Sequence, residues 1–184
     1  MLMIALAASM ATSGQPADMA LVAQSDVAQV VQDAQDQKQK PPRYNRFRRN
    51  QLKDLQIVEL KLGTKLQHKF TTWVMDVEDK RQEGMMFLEA QDVAKNQAMI
   101  FVFKEDEVLG FWMKNTLIPL DIAYVTSEGT IVKTYTMRAN DTISDYGSRS
   151  KAMYAIEFRS GTFKKLGIKT GQKVEIPDTV KAKN

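Results

Sequence analysis

From Leu55 onward, apolar and polar residues alternate in a way that predicts strands. In "LQIVELKLG" (55–63), Ile57, Glu59 and Lys61 fall on one side and Val58, Leu60 and Leu62 on the other. "HKFTTWVMDV" (68–77) alternates again, with Trp73, Met75 and Val77 sharing a face. Lys80 to Val93 has helical composition broken at Gly84. "AMIFVF" (98–103) is continuously apolar, which predicts a strand buried on both faces. An acidic turn at Lys104 to Glu107 then leads to "VLGFWMK" (108–114), read as a further strand.

The second half is punctuated more clearly. "DIAYVTSEGTIVKTYTM" (121–137) reads as a hairpin: two β-branched runs flank Ser127-Glu128-Gly129, with glycine supplying the positive φ. "KAMYAIEF" is another strand. "SGTFKKLGI" reads as a short helix capped by Ser160 and ended by Gly167. "KTGQKVEI" supplies a turn and a last strand. Seven or eight strands with short helices predict a β-rich α+β fold, a small antiparallel barrel or strongly curved sheet.

Ahead of this body the pattern is weak. Residues 17–53 read as a linker, partly helical and then basic, with Pro41-Pro42 as a helix stop. The globular domain is expected over 54–180, and 181–184 as a loose tail. "MLMIALAASMATSG" has an apolar run of signal-peptide length followed by small residues. It is too short to span a bilayer. No Lys or Arg precedes Lys38, so the basic leader segment is missing. Residues 1–16 thus read either as a signal peptide, truncated at its start, or as an apolar turn that packs locally. The first reading predicts export to the periplasm or beyond, with a cytoplasmic place as the alternative.

Charge sharpens the linker. The formal charge of the 184 residues is +4, yet Lys38 to Lys53 alone carries +7, which leaves −3 on the rest. Arg43, Arg46, Arg48 and Arg49 interleave with Tyr44 and Phe47. Such a run contacts an anionic surface, or is simply solvated; for an exported chain, nucleic acid is the weaker partner.

Several chemistries are excluded. There is no cysteine, hence no disulfide, thiolate metal site or thiol nucleophile. His68 is the only histidine and has no G-x-S-x-G partner. No phosphate loop or dinucleotide fingerprint occurs, so no cofactor is expected. Met75, Met85, Met86, Met99 and Met113 raise the idea of a thioether copper site, but their spacing suits core packing. A monomer is expected.

Several blocks, in order, carry a resemblance: "RQEGMMF" (81–87), "AMIFVF", "FWMKNTLIPLDIAYV" (111–125), "GTIVKTYTM", "YAIEF" and "GIKTGQKV". From Val58 onward the chain resembles the domain of unknown function 192 family. The third block matches that family's signature nearly in full. Ala98, Leu88 and Gln172 depart from residues common there: Gly, Arg and Asp. The resemblance implies a compact β-rich fold, often behind a signal peptide, and no assigned reaction.

On a strand, "FWMKN" would place Phe111, Met113 and Asn115 on one face and Trp112 and Lys114 on the other. Trp112, Lys114, Asn115 and Asp121, with Arg81 near, are then candidates to frame a pocket for a small anionic or carbohydrate ligand. Asn115 and Asp121 read equally as groups that bond turn backbone. Glu157, inside an apolar run, needs a cation, with Lys114 or Arg81 the candidates. Three functions follow: a non-catalytic binding module, an enzyme with Asp121 and Glu157 as acid and base, or an interaction domain that uses the basic linker.

Overall fold

The predicted alternation becomes a sheet. The computed structural model describes residues 45–183. The expected signal peptide, most of the linker and Arg43 lie outside the described residues. Among those described, seven strands form one curled sheet, in the order β5-β4-β6-β3-β2-β1-β7. They are β1 (Ile57–Leu62), β2 (His68–Met75), β3 (Gln97–Val108), β4 (Leu120–Val125), β5 (Ile131–Met137), β6 (Lys151–Arg159) and β7 (Val174–Glu175). The helices are short: α1 (Glu78–Glu83) and α2 (Thr162–Leu166). None is long and apolar enough to cross a membrane.

The curled, β-rich fold is the one anticipated, with one exception to its antiparallel character. β2 and β3 pair in parallel, Trp73 opposite Met99. A parallel pair needs a crossover, and residues 76–96, including α1, supply it. The sheet curls until its edges touch: Thr130 bridges Lys173, and the Val174 amide donates to the Gly129 carbonyl at 2.8 Å. Gly129 has φ +76°, and a Cβ there would meet the Val174 oxygen at 2.4 Å. The turn residue is therefore required twice, by its dihedral and by this approach.

Each sheet face has its own core. The concave cluster holds Leu60, Leu62, Val74, Ile100, Val102 and Ile156. The other holds Trp73, Met75, Met99, Phe101, Met113 and Ile122. Four of the five methionines singled out, Met75, Met85, Met99 and Met113, are buried here, so they pack. β3 feeds both cores, and residues 98–102 are buried throughout, as a double-sided strand requires.

Five local expectations change. The helical composition of Lys80 to Val93 yields only α1, which ends at Glu83, and no helix follows Gly84 before β3. Lys104 to Glu107 is no turn but continues β3, through a bulge between Val102 and Glu107. "VLGFWMK" is accordingly the end of β3 plus a non-strand segment. Helix α2 is entered through Gly161, at φ +87°, and not through a Ser160 cap. The tail is docked: Ala182 packs on the concave core, and the Lys183 ammonium lies 2.5 Å from the buried Asp76 carboxylate.

The basic segment also differs from its reading as solvated linker. Arg48 is only 4% exposed. Its guanidinium donates to the Gly84 carbonyl at 2.8 Å and the Met86 carbonyl at 2.6 Å, and faces Glu83 at 3.7 Å. Glu83 in turn accepts from the Arg49 and Asn50 amides at 2.7 and 2.8 Å. Burial lowers the Arg48 pKa, opposed by the charges of Glu83 and Asp92. Arg48 thus staples the "RQEGMMF" loop from outside the expected 54–180 boundary. It is unavailable to an anionic surface, and deleting Lys38 to Lys53 would remove part of the fold along with the linker.

Candidate functional site

The residues 109–119 leave β3 without forming a strand, yet Phe111, Trp112, Met113 and Lys114 keep the predicted division of side chains; Asn115, expected on the face of Phe111 and Met113, is instead exposed and lines the same groove as Trp112 and Lys114. Met113 is fully buried and Phe111 packs edge-on against Phe101, ring centroids 4.8 Å apart. Burying a methionine of this kind contributes about 1.5–3 kcal/mol, which holds the segment down. Trp112 and Lys114 point the other way. Trp112 is 56% exposed, and the Lys114 ammonium lies 5.4 Å from its ring centroid. Asn115 ends the segment at φ +57°.

A groove of about 500 Å³ opens here, framed by Trp112, Lys114 and Asn115 on one side and Phe47, Arg49 and Phe87 on the other. Two strained residues join its walls. Phe87 has φ +62°, an unusual state for a bulky side chain that costs about 1–3 kcal/mol. Its amide donates to the Asn115 carbonyl at 2.9 Å. Asn115 therefore acts through its backbone as well as by its place in the groove. Gly84 permits the loop: at φ +48°, a Cβ would meet the Phe101 ring at 2.9 Å. Phe47, Arg49 and Phe87 were not foreseen as site residues. For Phe47 and Arg49 the interleaved run "RYNRFRRN" was the only sequence signal, and nothing local shows that it returns to the signature block; Phe87 closes the "RQEGMMF" block.

Arg81 lies off the groove. Its guanidinium bonds Glu78 at 2.8 Å and the Val102 carbonyl at 3.0 Å, and sits 5.3 Å from the Phe103 centroid. Arg49 pairs with Asp79 at 3.1 Å, and Arg46 lies 4.9 Å from the Phe47 ring centroid.

Asp121 leaves the proposed frame altogether. It is 1% exposed, on the concave face of β4. It accepts from the Thr136 hydroxyl at 2.6 Å and from the Phe163 amide of α2 at 2.9 Å. Asp121 thus satisfies an amide in the first turn of α2, the task expected of Ser160.

Glu157 is on the other face. Ile122 pairs with Glu157 and Asp121 with Phe158, so the two carboxylates project to opposite sides of the sheet. That geometry rules out the acid–base pair. Among the described residues no cation pairs with Glu157, which corrects the expected partnership with Lys114 or Arg81. Burial instead pushes its pKa up to about 8, so the carboxyl is neutral at pH 7. Its Oε2 has no hydrogen-bond partner, and neither has the buried Nε of Arg81. Both residues line a small chamber of about 20 Å³.

A larger hollow, about 870 Å³, lies between Ser127–Gly129 and the C-terminal segment. It contains no residue of the "FWMKN" block and none of the strained pair, so the groove is the stronger candidate.

A family model described as "Uncharacterized ACR, COG1430" matches residues 58–176, most of the described chain. The chain belongs to the DUF192 family. Two solved structures share the fold of this DUF192 domain. One, from Sinorhizobium meliloti 1021, is described as a "putative transcription regulator"; it is 29% identical, with a TM-score of 0.60, covering 66% of this chain and 94% of that one. The other, from Novosphingobium aromaticivorans DSM 12444, is a protein of unknown function; it is 27% identical, with a TM-score of 0.63, covering 69% and 90%. The comparison with curated proteins gives no match. The DUF192 match starts at Val58, so Phe47, Arg48 and Arg49 fall outside it although they pack on its "RQEGMMF" block.

Proposed function

We propose that this DUF192 domain is an exported, non-catalytic binding module whose groove takes a small anionic or sugar-like ligand. One observation carries the proposal: Trp112 stands exposed beside Lys114 in a groove whose walls are joined by two residues at positive φ. Backbone strain of this kind persists where the surroundings over-determine it, and binding sites are a common reason. The chemistry is complementary to a ring with a negative charge. The indole and the Phe47 and Phe87 rings offer apolar platforms, and the Lys114 and Arg49 side chains offer cations. The opposed placement of Asp121 and Glu157 supports the non-catalytic reading.

Intrinsic fluorescence tests it, because the chain has two tryptophans and Trp73 is buried. Titration of the domain with a uronic-acid oligosaccharide is expected to shift Trp112 emission saturably. The Trp112→Phe variant should keep its thermal midpoint and lose the response. No saturable shift, with no change in midpoint, ends the reading.

A further inference from the structure

The chamber beside the groove is made of groups that need a partner. The two spaces share Gln82, Glu83, Met86 and Trp112 in their linings, so the chamber adjoins the groove at the Trp112 wall. Of its lining, Arg81 has a buried Nε–H donor and Glu157 a buried Oε2, neither of them hydrogen-bonded among the described residues. Phe101, Phe111 and Met85 offer these groups nothing polar in their side chains, and the Thr116 hydroxyl, which also lines the chamber, donates to the Lys114 carbonyl at 3.4 Å. Leaving a buried donor and a buried carboxyl oxygen unmet costs about 1–3 kcal/mol each. The chamber's volume of about 20 Å³ exceeds the roughly 10–15 Å³ that one water requires.

We propose that this chamber is the anchoring subsite of the groove and takes one hydroxyl of the ligand, which makes the ligand class an acidic sugar. A hydroxyl is the smallest group that meets both needs. Its oxygen accepts from the Arg81 Nε–H, and toward the neutral Glu157 carboxyl it donates its hydrogen where Oε2 is the carbonyl oxygen and accepts where Oε2 carries the proton. A carboxylate or phosphate is too large for the space. With one hydroxyl seated, the sugar ring lies against Trp112 and its acidic group meets Lys114. The inference rests on the groove being the binding site and goes further by naming what distinguishes one ligand from another. A site built to bond a hydroxyl discriminates strongly against analogues that lack it, because its polar groups are then left unpaired.

The test compares a uronic-acid oligosaccharide with benzoate, which has a ring and a charge but no hydroxyl. Wild type is expected to bind the uronate more tightly. Glu157→Leu should weaken uronate binding about tenfold, the scale of one hydrogen bond, and leave benzoate within about twofold. Glu157→Gln retains an acceptor and should stay within about twofold of wild type for both ligands. Uronate affinity unchanged in Glu157→Leu, or equal losses for both ligands, overturns the subsite while the groove reading stands. Failure of wild type to bind either ligand ends both. If the leucine variant does not fold, an experimental density map of the unliganded domain decides the matter. An ordered water between Arg81 Nε and Glu157 is expected there, and a dry chamber overturns the proposal.

Discussion

Asp121 and Glu157 are two buried carboxyl groups on adjacent strands, one residue out of register and on opposite faces of the same sheet. Their exposures are 1% and 4%. Their surroundings differ completely. Asp121 accepts from a hydroxyl and an amide and so joins β4, β5 and α2. Glu157 has an oxygen with no partner and a pKa raised by burial. Depth does not separate them, since both are out of water. What separates them is whether the described residues supply donors: they do for Asp121 and leave Glu157 Oε2 without one.

Breaking Asp121 is expected to have the larger effect. Asp121→Ala removes two hydrogen bonds and leaves the Phe163 amide and the Thr136 hydroxyl unpaired, so a loss of roughly 3–5 kcal/mol is expected in denaturant melts at pH 7. A loss below about 1 kcal/mol would dissolve the contrast between the two sites.

Glu157→Leu should have the opposite sign, and its pH dependence sharpens the comparison. The folded pKa of Glu157, about 8, lies above its ordinary value of 4.5. Between those values the folded state holds a proton that the unfolded chain has released, so stability falls as pH rises through this window and levels off above it. Linkage puts the ceiling near 5 kcal/mol, and the leucine variant should recover about 2 kcal/mol at pH 8, since Arg81 Nε stays unmet. Relative to wild type, that gain should shrink toward pH 4.5. A gain independent of pH would mean that Glu157 is not neutral in the fold.

Thr136→Val is the smallest step. It removes one donor to Asp121 and leaves the Phe163 bond, at an expected cost of about 1–2 kcal/mol in the same melts. An equal loss in Thr136→Val and Asp121→Ala would show that the α2 contact contributes nothing.

Much of the fold was legible because its signals are local. Period-2 alternation, the Ser127-Glu128-Gly129 turn and the continuous run at 98–103 each depend on a few neighbouring residues. The misreadings have a common cause. The stretch Lys104 to Glu107 looks like a turn from its acidity, but pairing with β6 carries it on as strand through a bulge. Arg48 looks solvated among arginines, but three carbonyls and Glu83 lie around it in space. The site divides in the same way. The opposed sides of Trp112 and Met113 follow from alternation. The return of Phe47 and Arg49 to Trp112 is a long-range contact with no local mark.

The sequence by itself determined the strands, the hairpin, the outward Trp112 and Lys114, and the two carboxyl groups that would need an explanation. Pattern and composition act within a few residues, and each of these is a statement at that range. Only the tertiary structure decided what meets each carboxyl. The β4–β6 register, set by burying apolar residues on both sheet faces, turns Asp121 toward the α2 amide and Glu157 into a chamber where its Oε2 meets no partner among the described residues.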